Sequence, residues 1–228
     1  GEAHPKAATL DFDGTHDALI FGLEDQSIAL ARQLFAHGWN VKIATFRKES
    51  EVEKIEDIEI CFINDLNLEI IENLEARKAE AIVLMLSERE NIIITEILYE
   101  HIGSREIIVR LHERINFNQF HDLGVIVVDP ATAMVSLLDH FVRSPIAASL
   151  LLGTEEHQDT IDVEVMDKDL HGIYLRNLRL PSDVIVLSVK RKNQMIISHG
   201  YTRLRLGDVV TIVGEVDSLE EIKLRFGV

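Results

Sequence analysis

Short apolar runs alternate with amphipathic or polar segments along the first 128 residues. The apolar runs predict strands at residues 18–21, 41–46, 58–63, 81–86, 106–111 and 125–128. The segments between them predict helices at residues 27–37, 49–57, 66–74, 91–101 and 116–123. In most of these segments apolar residues recur every three or four positions, and the segment at 49–57 is acidic and suits a solvated helix. Strands alternating with helices at this rhythm are typical of an α/β fold with a doubly wound parallel sheet.

The pattern changes after the sixth strand. Two helices are predicted at 131–141 and 145–152, and a polar, acidic segment follows at 154–160. Beyond it the spacing predicts a small α+β domain, with strands at 161–166, 184–189, 194–197 and 209–213, a helix at 170–178, and a closing helix at 219–226 capped by Ser218. We therefore expect a linker or tag-proximal segment at 1–17, a first domain at 18–140, a helical link at 141–160 and a second domain at 161–228.

The first strand-turn-helix unit lies where a Rossmann fold binds phosphate. The Gly-x-Gly-x-x-Gly frame of that fold reads Gly22, Glu24 and Ser27 in this sequence. Gly22 can make the turn and Ser27 is small enough for close packing, but the side chain and charge of Glu24 oppose a pyrophosphate. The acidic residue expected after the second strand is replaced by Thr45-Phe46-Arg47. We predict a Rossmann-like scaffold with an altered ligand site, and a purely architectural unit stays open as the alternative.

Ligands of doubly wound sheets bind beyond the carboxyl ends of the strands, near the switch in strand order. This rule predicts one crevice lined by Gly22, Leu23, Glu24, Asp25, Gln26, Thr45, Phe46, Arg47, Asn64, Asp65, Leu86, Ser87 and Arg110. Arg47 could meet a phosphate, whereas Glu24 and Asp25 could help to hold a divalent cation, which prefers carboxylate oxygen. The alternative for Arg47 and Arg110 is a salt bridge at a strand end. The histidines show no metal-ligand spacing, and a pH-sensing role for His112 is a minor alternative.

The composition of the chain limits the classes of partner that it can bind. The chain has 39 acidic and 23 basic side chains and a net charge of −16, which argues against nucleic acid and against docking on anionic lipid. The single cysteine, Cys61, excludes an intramolecular disulfide framework and fits a reducing compartment. No apolar run approaches the ~18 residues of a membrane span.

An enzymatic alternative rests on residues 10–15, Leu-Asp-Phe-Asp-Gly-Thr. They resemble the first motif of haloacid-dehalogenase-like phosphatases, in which Asp11 would be the nucleophile and Asp13 the general acid beside Mg²⁺. Such a fold needs a buried strand before Asp11 and a helix where residues 18–21 predict a strand. The other interpretation is an acidic linker in which Asp and Gly make a turn.

Two sets of residues follow one known pattern. They are Gly172, Leu175, Leu178, Leu180, Lys190, Arg191, Leu206, Gly207 and Asp208 in the second half, and Gly22, Ala31, Asp65, Asn91 and Arg110 in the first. On these residues the chain resembles the RCK, or Trk-type (TrkA-N plus TrkA-C), domains of potassium channels and cation/proton antiporters. The resemblance covers most of the chain except the first 17 residues and the link around 141–160.

The resemblance implies a Rossmann-like domain followed by a small α+β RCK C-terminal domain, without enzymatic activity. It implies a ligand-sensing module of a K⁺ or Na⁺ channel or a cation/proton antiporter, at the cytoplasmic face of the cell membrane. The implied partners are a transmembrane part, N-terminal in the same polypeptide, and a second copy in a homodimer, without nucleic acid or membrane insertion. The implied ligands are AMP, ADP or ATP rather than NAD, a divalent cation, or cyclic di-AMP in the second domain. A structural dimerisation module with a degenerate nucleotide site is the alternative.

Overall fold

The computed structural model describes residues 16–103, 106–153 and 156–228, and the contacts divide the chain between Ala133 and Met134. The first unit is built on one parallel sheet, with strands β1 (His16–Phe21), β2 (Trp39–Thr45), β3 (Glu59–Phe62), β4 (Ala81–Leu84), β5 (Glu106–Arg110) and β6 (Ile126–Val128). The strand order is β3-β2-β1-β4-β5-β6, so the direction of winding reverses between β1 and β4. The predicted doubly wound α/β fold is confirmed.

The crossover segments of this unit contain four α-helices, which are α1 (Asp25–Ala36), α2 (Leu68–Asn73), α3 (Glu88–Ile97) and α4 (Phe117–Asp122). Helix α3 begins three residues before the predicted start, because Ser87 and Glu90 form a capping box at its N-terminus. It continues into one π-helical turn, Leu98–Ile102, and ends at Gly103, which has a φ of 92°.

The central strand β1 is buried on both faces. Leu19 and Phe21 belong to one core cluster, and Ala18 and Ile20 belong to the cluster on the opposite face of the sheet. All four side chains are at most 3% exposed. Burial on both faces explains why this strand reads as a continuous apolar run rather than as an alternating one.

The predicted helix at 49–57 is wrong. Only Glu49–Glu51 form a single 3₁₀ turn, and Asp57 has a φ of 63°, which no helix contains. In a helix, Glu49, Glu53 and Asp57 would stack like charges four residues apart, which destabilises it. The apolar residues of this segment, Val52 and Ile55, pack instead against the core cluster that contains Ala18 and Ile20.

The second unit is built on an antiparallel sheet. Its strands are β7 (Gln158–Glu164), β8 (Ile185–Arg191), β9 (Gln194–Ile197) and β10 (Val209–Glu215), in the order β7-β10-β8-β9. Helix α5 (Pro130–Arg143) crosses the division between the units, and α6 (Pro145–Leu151) and α7 (Val216–Phe226) follow. Side chains of α7, among them Ile222 and Phe226, complete a core with Val189 and Ile212. The predicted small domain with helix and strand is confirmed.

The predicted helix at 170–178 is wrong as well. The segment contains two 3₁₀ turns, Lys168–Leu170 and Leu175–Asn177, separated by extended chain. The N–H of Gly172 donates to the carbonyl of Leu204 at 2.7 Å, and the N–H of Leu204 donates to the carbonyl of Ile173 at 2.9 Å. These partners come from another segment, and they replace the bonds that a helix would have made within itself.

Two boundaries of the second unit differ from the prediction. Strand β7 begins at Gln158, inside the polar segment, because its backbone pairs with β10 up to Glu215. Helix α7 begins at Val216 with Glu215 as its N-cap residue, so Ser218 lies in the first turn and is not the cap. The Ser218 side chain instead hydrogen-bonds Asp183, which lowers the pKa of that carboxyl group.

Within the described residues, every helix is too short or too polar to cross a bilayer. The phosphatase-like motif with Asp11 and Asp13 lies outside the described residues, and the first strand that the structure describes, β1, comes after this motif in the chain.

Candidate functional site

A cleft of about 370 Å³ opens at the carboxyl ends of β1, β2 and β4. We call it the switch-point cleft, because the winding of the sheet reverses here. It is lined by Gly22, Leu23, Glu24, Thr45, Phe46, Arg47, Met85, Leu86, Ser87, Arg110 and His112.

Four residues of the predicted set do not line the switch-point cleft. Asp25 and Gln26 lie in the first turn of α1. Gln26 is connected to the cleft through a hydrogen bond that it accepts from Arg110. Asn64 and Asp65 follow β3, where Asp65 accepts hydrogen bonds from the N–H of Leu66 at 2.8 Å and from Asn67 at 3.1 Å. These bonds order the entry to α2. Two residues that line the cleft, Met85 and His112, were not in the predicted set. An apolar residue at a strand end such as Met85 carries no sequence signal for a binding site.

The turn after β1 requires glycine. Gly22 has a φ of 110°, and a Cβ atom at this position would stand 2.7 Å from the carbonyl oxygen of Met85. Two bonds fix this approach: Gly22 N–H donates to the carbonyl of Ala44 at 2.9 Å, and Met85 N–H donates to that of Phe21 at 2.8 Å. The ends of β1, β2 and β4 therefore meet closely at the floor of the cleft.

Ser27 supplies the close packing that the third glycine of the fingerprint usually allows. It is fully buried, and its Oγ accepts the N–H of Glu24 at 2.8 Å and donates to the Glu24 carbonyl at 2.9 Å. This small hydroxyl holds the first turn of α1 in place.

Arg110, at the end of β5, ties α1 to β4. Its guanidinium forms an ion pair with Glu24 and donates to Gln26 Oε1 and to the carbonyl of Met85, both at 3.2 Å. The Arg110 side chain is 19% exposed and that of Glu24 is 38% exposed. The charge of Glu24 is thus balanced within the cleft, and a divalent cation at Glu24 and Asp25 would have to displace Arg110.

Arg47 presents the free cation of the cleft. It follows β2 on the exposed side, and its guanidinium has no hydrogen-bond or ion-pair partner among the described residues. Its backbone N–H donates to Oγ1 of the buried Thr45 at 3.1 Å, which fixes the course of the chain. Phe46, 39% exposed, offers an aromatic surface beside it.

The end of β4 is held from several sides. Buried Asn91 accepts the N–H of Leu86 and donates to the Leu86 carbonyl, both at 3.1 Å. His112 Nε2 lies 2.9 Å from the same carbonyl oxygen. A carbonyl only accepts, so Nε2 carries the proton and His112 is fixed in one tautomer. Ser87 then begins α3 with its capping box.

In the described parts of the chain, no group of three or more His, Cys, Asp or Glu side chains is arranged to hold a metal ion. The polar side chains that line the switch-point cleft are two guanidinium groups, the paired Glu24 carboxylate, Thr45, Ser87 and His112. This is a set suited to an anionic ligand rather than to a metal centre.

The fold defines a class: a Rossmann-like domain followed by a small antiparallel domain. The TrkA-N domain model matches residues 18–130 and the TrkA-C domain model matches residues 161–227. The chain belongs to this Trk-type, or RCK, family of domains.

Among known proteins, the chain is 22% identical over 186 residues to a Trk system potassium uptake protein TrkA homolog of Archaeoglobus fulgidus, covering 78% of this chain and 43% of that protein. It is 22% identical over 206 residues to the putative Na(+)/H(+) antiporter YjbQ of Bacillus subtilis, covering 90% of this chain and 33% of that protein. The chain thus spans less than half the length of either relative. Among solved structures, the GsuK channel is 16% identical with a TM-score of 0.49, over 97% of this chain and 41% of that one.

Proposed function

We propose that the chain is the ligand-sensing regulatory module of a monovalent cation transport system, and that its ligand is an adenine mononucleotide bound in the switch-point cleft. Family membership supports the regulatory role, since relatives carry the names of a potassium uptake protein and an antiporter. In this proposal the transport pathway lies in another part of the same polypeptide, and the module works at the cytoplasmic face of the membrane.

The observation that carries the ligand proposal is the unpaired guanidinium of Arg47 beside the glycine turn. A free cation in a cleft that also contains the N-terminal end of α1 suits a phosphate group. AMP, ADP and ATP fit this arrangement better than NAD, because each ends in a phosphate that can meet a guanidinium, whereas NAD must pass its internal pyrophosphate along the backbone at the Glu24 side chain.

Ligand binding regulates the transporter only through a difference in affinity between two conformations. We propose that these conformations differ in the arrangement of two copies of the chain. The apolar face of α5 supports such a pairing, because the described structure leaves it uncovered: Met134 and Leu138 are each 58% exposed, and Leu137 and Phe141 are each 37% exposed.

A thermal-shift panel tests the ligand. AMP, ADP, ATP, NAD, NADH and cyclic di-AMP are each added, with and without Mg²⁺ or Ca²⁺. A ligand at about 100 times its dissociation constant adds about 2.7 kcal/mol to the free energy of unfolding. We expect the adenine mononucleotides to raise the melting temperature and Arg47→Ala to abolish that rise.

The matched control is Arg32→Ala, which removes an exposed guanidinium from α1 outside the cleft. It should leave the nucleotide shift intact. If no compound shifts the melt, or if Arg47→Ala leaves the shift unchanged, the cleft is not the sensor. The dimerisation module with a degenerate site then becomes the better hypothesis. Phosphatase activity that disappears in Asp11→Asn would instead establish the enzymatic alternative.

A further inference from the structure

We infer that the Glu24–Arg110 ion pair determines the class of ligand: a terminal phosphate monoester replaces the Glu24 carboxylate on Arg110, whereas the pyrophosphate diester of a dinucleotide does not. This inference rests on the proposed function of the switch-point cleft. In this inference the Glu24 carboxylate, which occupies the place of the ligand's phosphate on Arg110, makes the cleft distinguish a terminal phosphate from an internal pyrophosphate.

The contacts of Arg110 converge where a Rossmann fold holds its phosphate. Two of its three acceptors, Glu24 and Gln26, come from the beginning of α1, and the third is the Met85 carbonyl beside Gly22. The N-terminus of this twelve-residue helix favours an anion. An anion is already there: the Glu24 carboxylate, with Arg110 as its counter-ion.

The exchange favours a doubly charged group. A phosphate monoester carries a charge of about −1.5 to −2 at pH 7 and three acceptor oxygens, whereas a carboxylate carries a single charge. On Arg110, with Arg47 also facing the cleft, the dianion gains more attraction than the carboxylate loses. The released Glu24 side chain already reaches solvent, so its charge moves into water at low cost.

The pyrophosphate of a dinucleotide lacks this advantage. Each of its phosphates is esterified or bridged on two sides and carries one charge, so it competes with Glu24 on equal terms. It also has to pass along the backbone at residue 24, where a side chain stands in place of a glycine hydrogen. The cleft therefore accepts a phosphate at the end of a ligand and rejects one in its middle.

The test is titration calorimetry of the intact chain with AMP, with the methyl phosphate ester of AMP, and with NAD. We expect the unaltered chain to bind AMP more tightly than the singly charged methyl ester and more tightly than NAD. Glu24→Gln removes the competing charge and should tighten AMP binding about tenfold, which corresponds to about 1.4 kcal/mol. It should tighten the binding of the methyl ester by a similar factor, because either ligand then binds Arg110 without displacing a carboxylate.

The matched control is Asp25→Asn, which removes the same charge one residue further along α1 and outside the cleft. It should change AMP affinity by no more than about twofold, as expected of a screened surface charge. The folding of Glu24→Gln is checked by its melting temperature. We expect it to fold, because the cap bond at position 24 uses the backbone N–H.

The outcomes separate this inference from the proposed function. If the unaltered chain binds AMP but Glu24→Gln binds it no more tightly, the exchange is refuted and the sensor function stands. If only Glu24→Gln binds AMP, Glu24 is the competitor and the unaltered chain is not an AMP sensor. If neither binds, or if NAD binds as tightly as AMP, the inference is refuted.

Discussion

At the scale of single residues, one ion pair of the second unit is nearly buried. Asp208 is 1% exposed and accepts two hydrogen bonds from Arg191, at 2.8 and 2.7 Å, and one from the N–H of Arg205 at 2.9 Å. Burial alone would raise the pKa of the Asp208 carboxyl, but the bonds from Arg191 and Arg205 outweigh burial and lower that pKa below its ordinary value. The stability that this pair contributes is therefore fully present above the ordinary pKa of aspartate, and it is lost as the pH falls from that value through the lowered pKa of the folded state.

We expect Arg191→Met to lower the free energy of unfolding by about 3 kcal/mol at neutral pH, because it leaves a buried carboxylate without a counter-ion. The deficit should shrink as the pH falls through the acidic range, because the buried carboxyl of Asp208, without its counter-ion in the variant, has a raised pKa and takes up a proton there. Urea unfolding at several pH values measures both effects.

Lys190→Met is the matched control, since it removes the same charge from the exposed neighbouring position of β8. It should cost no more than about 0.5 kcal/mol. Equal losses in the two variants would show that the pair does not stabilise the fold.

The sequence placed Arg110 at the crevice because it ends a strand of a doubly wound sheet, but it could not supply the partner. Glu24 lies 86 positions away, and only the folded sheet brings the two together. The sequence also could not show that the Arg47 guanidinium lacks a partner among the described residues, because a guanidinium at a strand end is as compatible with a salt bridge as with a ligand. Residue types at strand ends predict where a binding site lies. The neighbours that the fold brings together decide which polar groups of that site are free to contact a ligand.

At the scale of elements, apolar runs predicted strands well and acidic segments predicted helices poorly. The run at 18–21 became the buried core of β1, because a strand covered on both faces has no polar positions to interrupt it. The acidic, solvated character of the segment at 49–57 predicts a helix, yet its like charges favour an irregular course. The predicted helix at 170–178 is wrong for a different reason, since the backbone bonds of this segment go to a distant segment that local spacing does not reveal.

Helix α5 leads to a prediction about association. We expect Leu138→Glu to convert a dimer into a monomer in sedimentation experiments, because it places a charge in the exposed apolar face that we propose as the contact with a second copy. Ser136→Glu adds the same charge on an exposed residue outside that face and should leave the dimer intact. A Leu138→Glu variant that sediments like the unaltered chain would exclude this face as the contact.

At the scale of the whole molecule, the chain contains separate cores. The second unit has its own sheet and its own buried cluster, including Val189, Ile212 and Ile222. We expect a fragment of residues 134–228 to fold alone and to unfold cooperatively with heat, as followed by circular dichroism. Ile222→Ala should destabilise this fragment by about 2–5 kcal/mol, because the side chain is fully buried. A fragment without a cooperative transition would show that this core depends on the first unit.

The floor of the switch-point cleft also bears on how a signal could leave it. The Leu86 carbonyl is gripped by Asn91 and His112, and the Met85 carbonyl stands against Gly22 and bonds Arg110. The ends of the central strands are therefore held by several hydrogen bonds, whereas the side chains of Glu24 and Gln26 at the start of α1 reach across the cleft to Arg110. A ligand that took the place of the Glu24 carboxylate on Arg110 would change the contacts of α1 first, because the exchange leaves intact the backbone hydrogen bonds that join the ends of β1, β2 and β4.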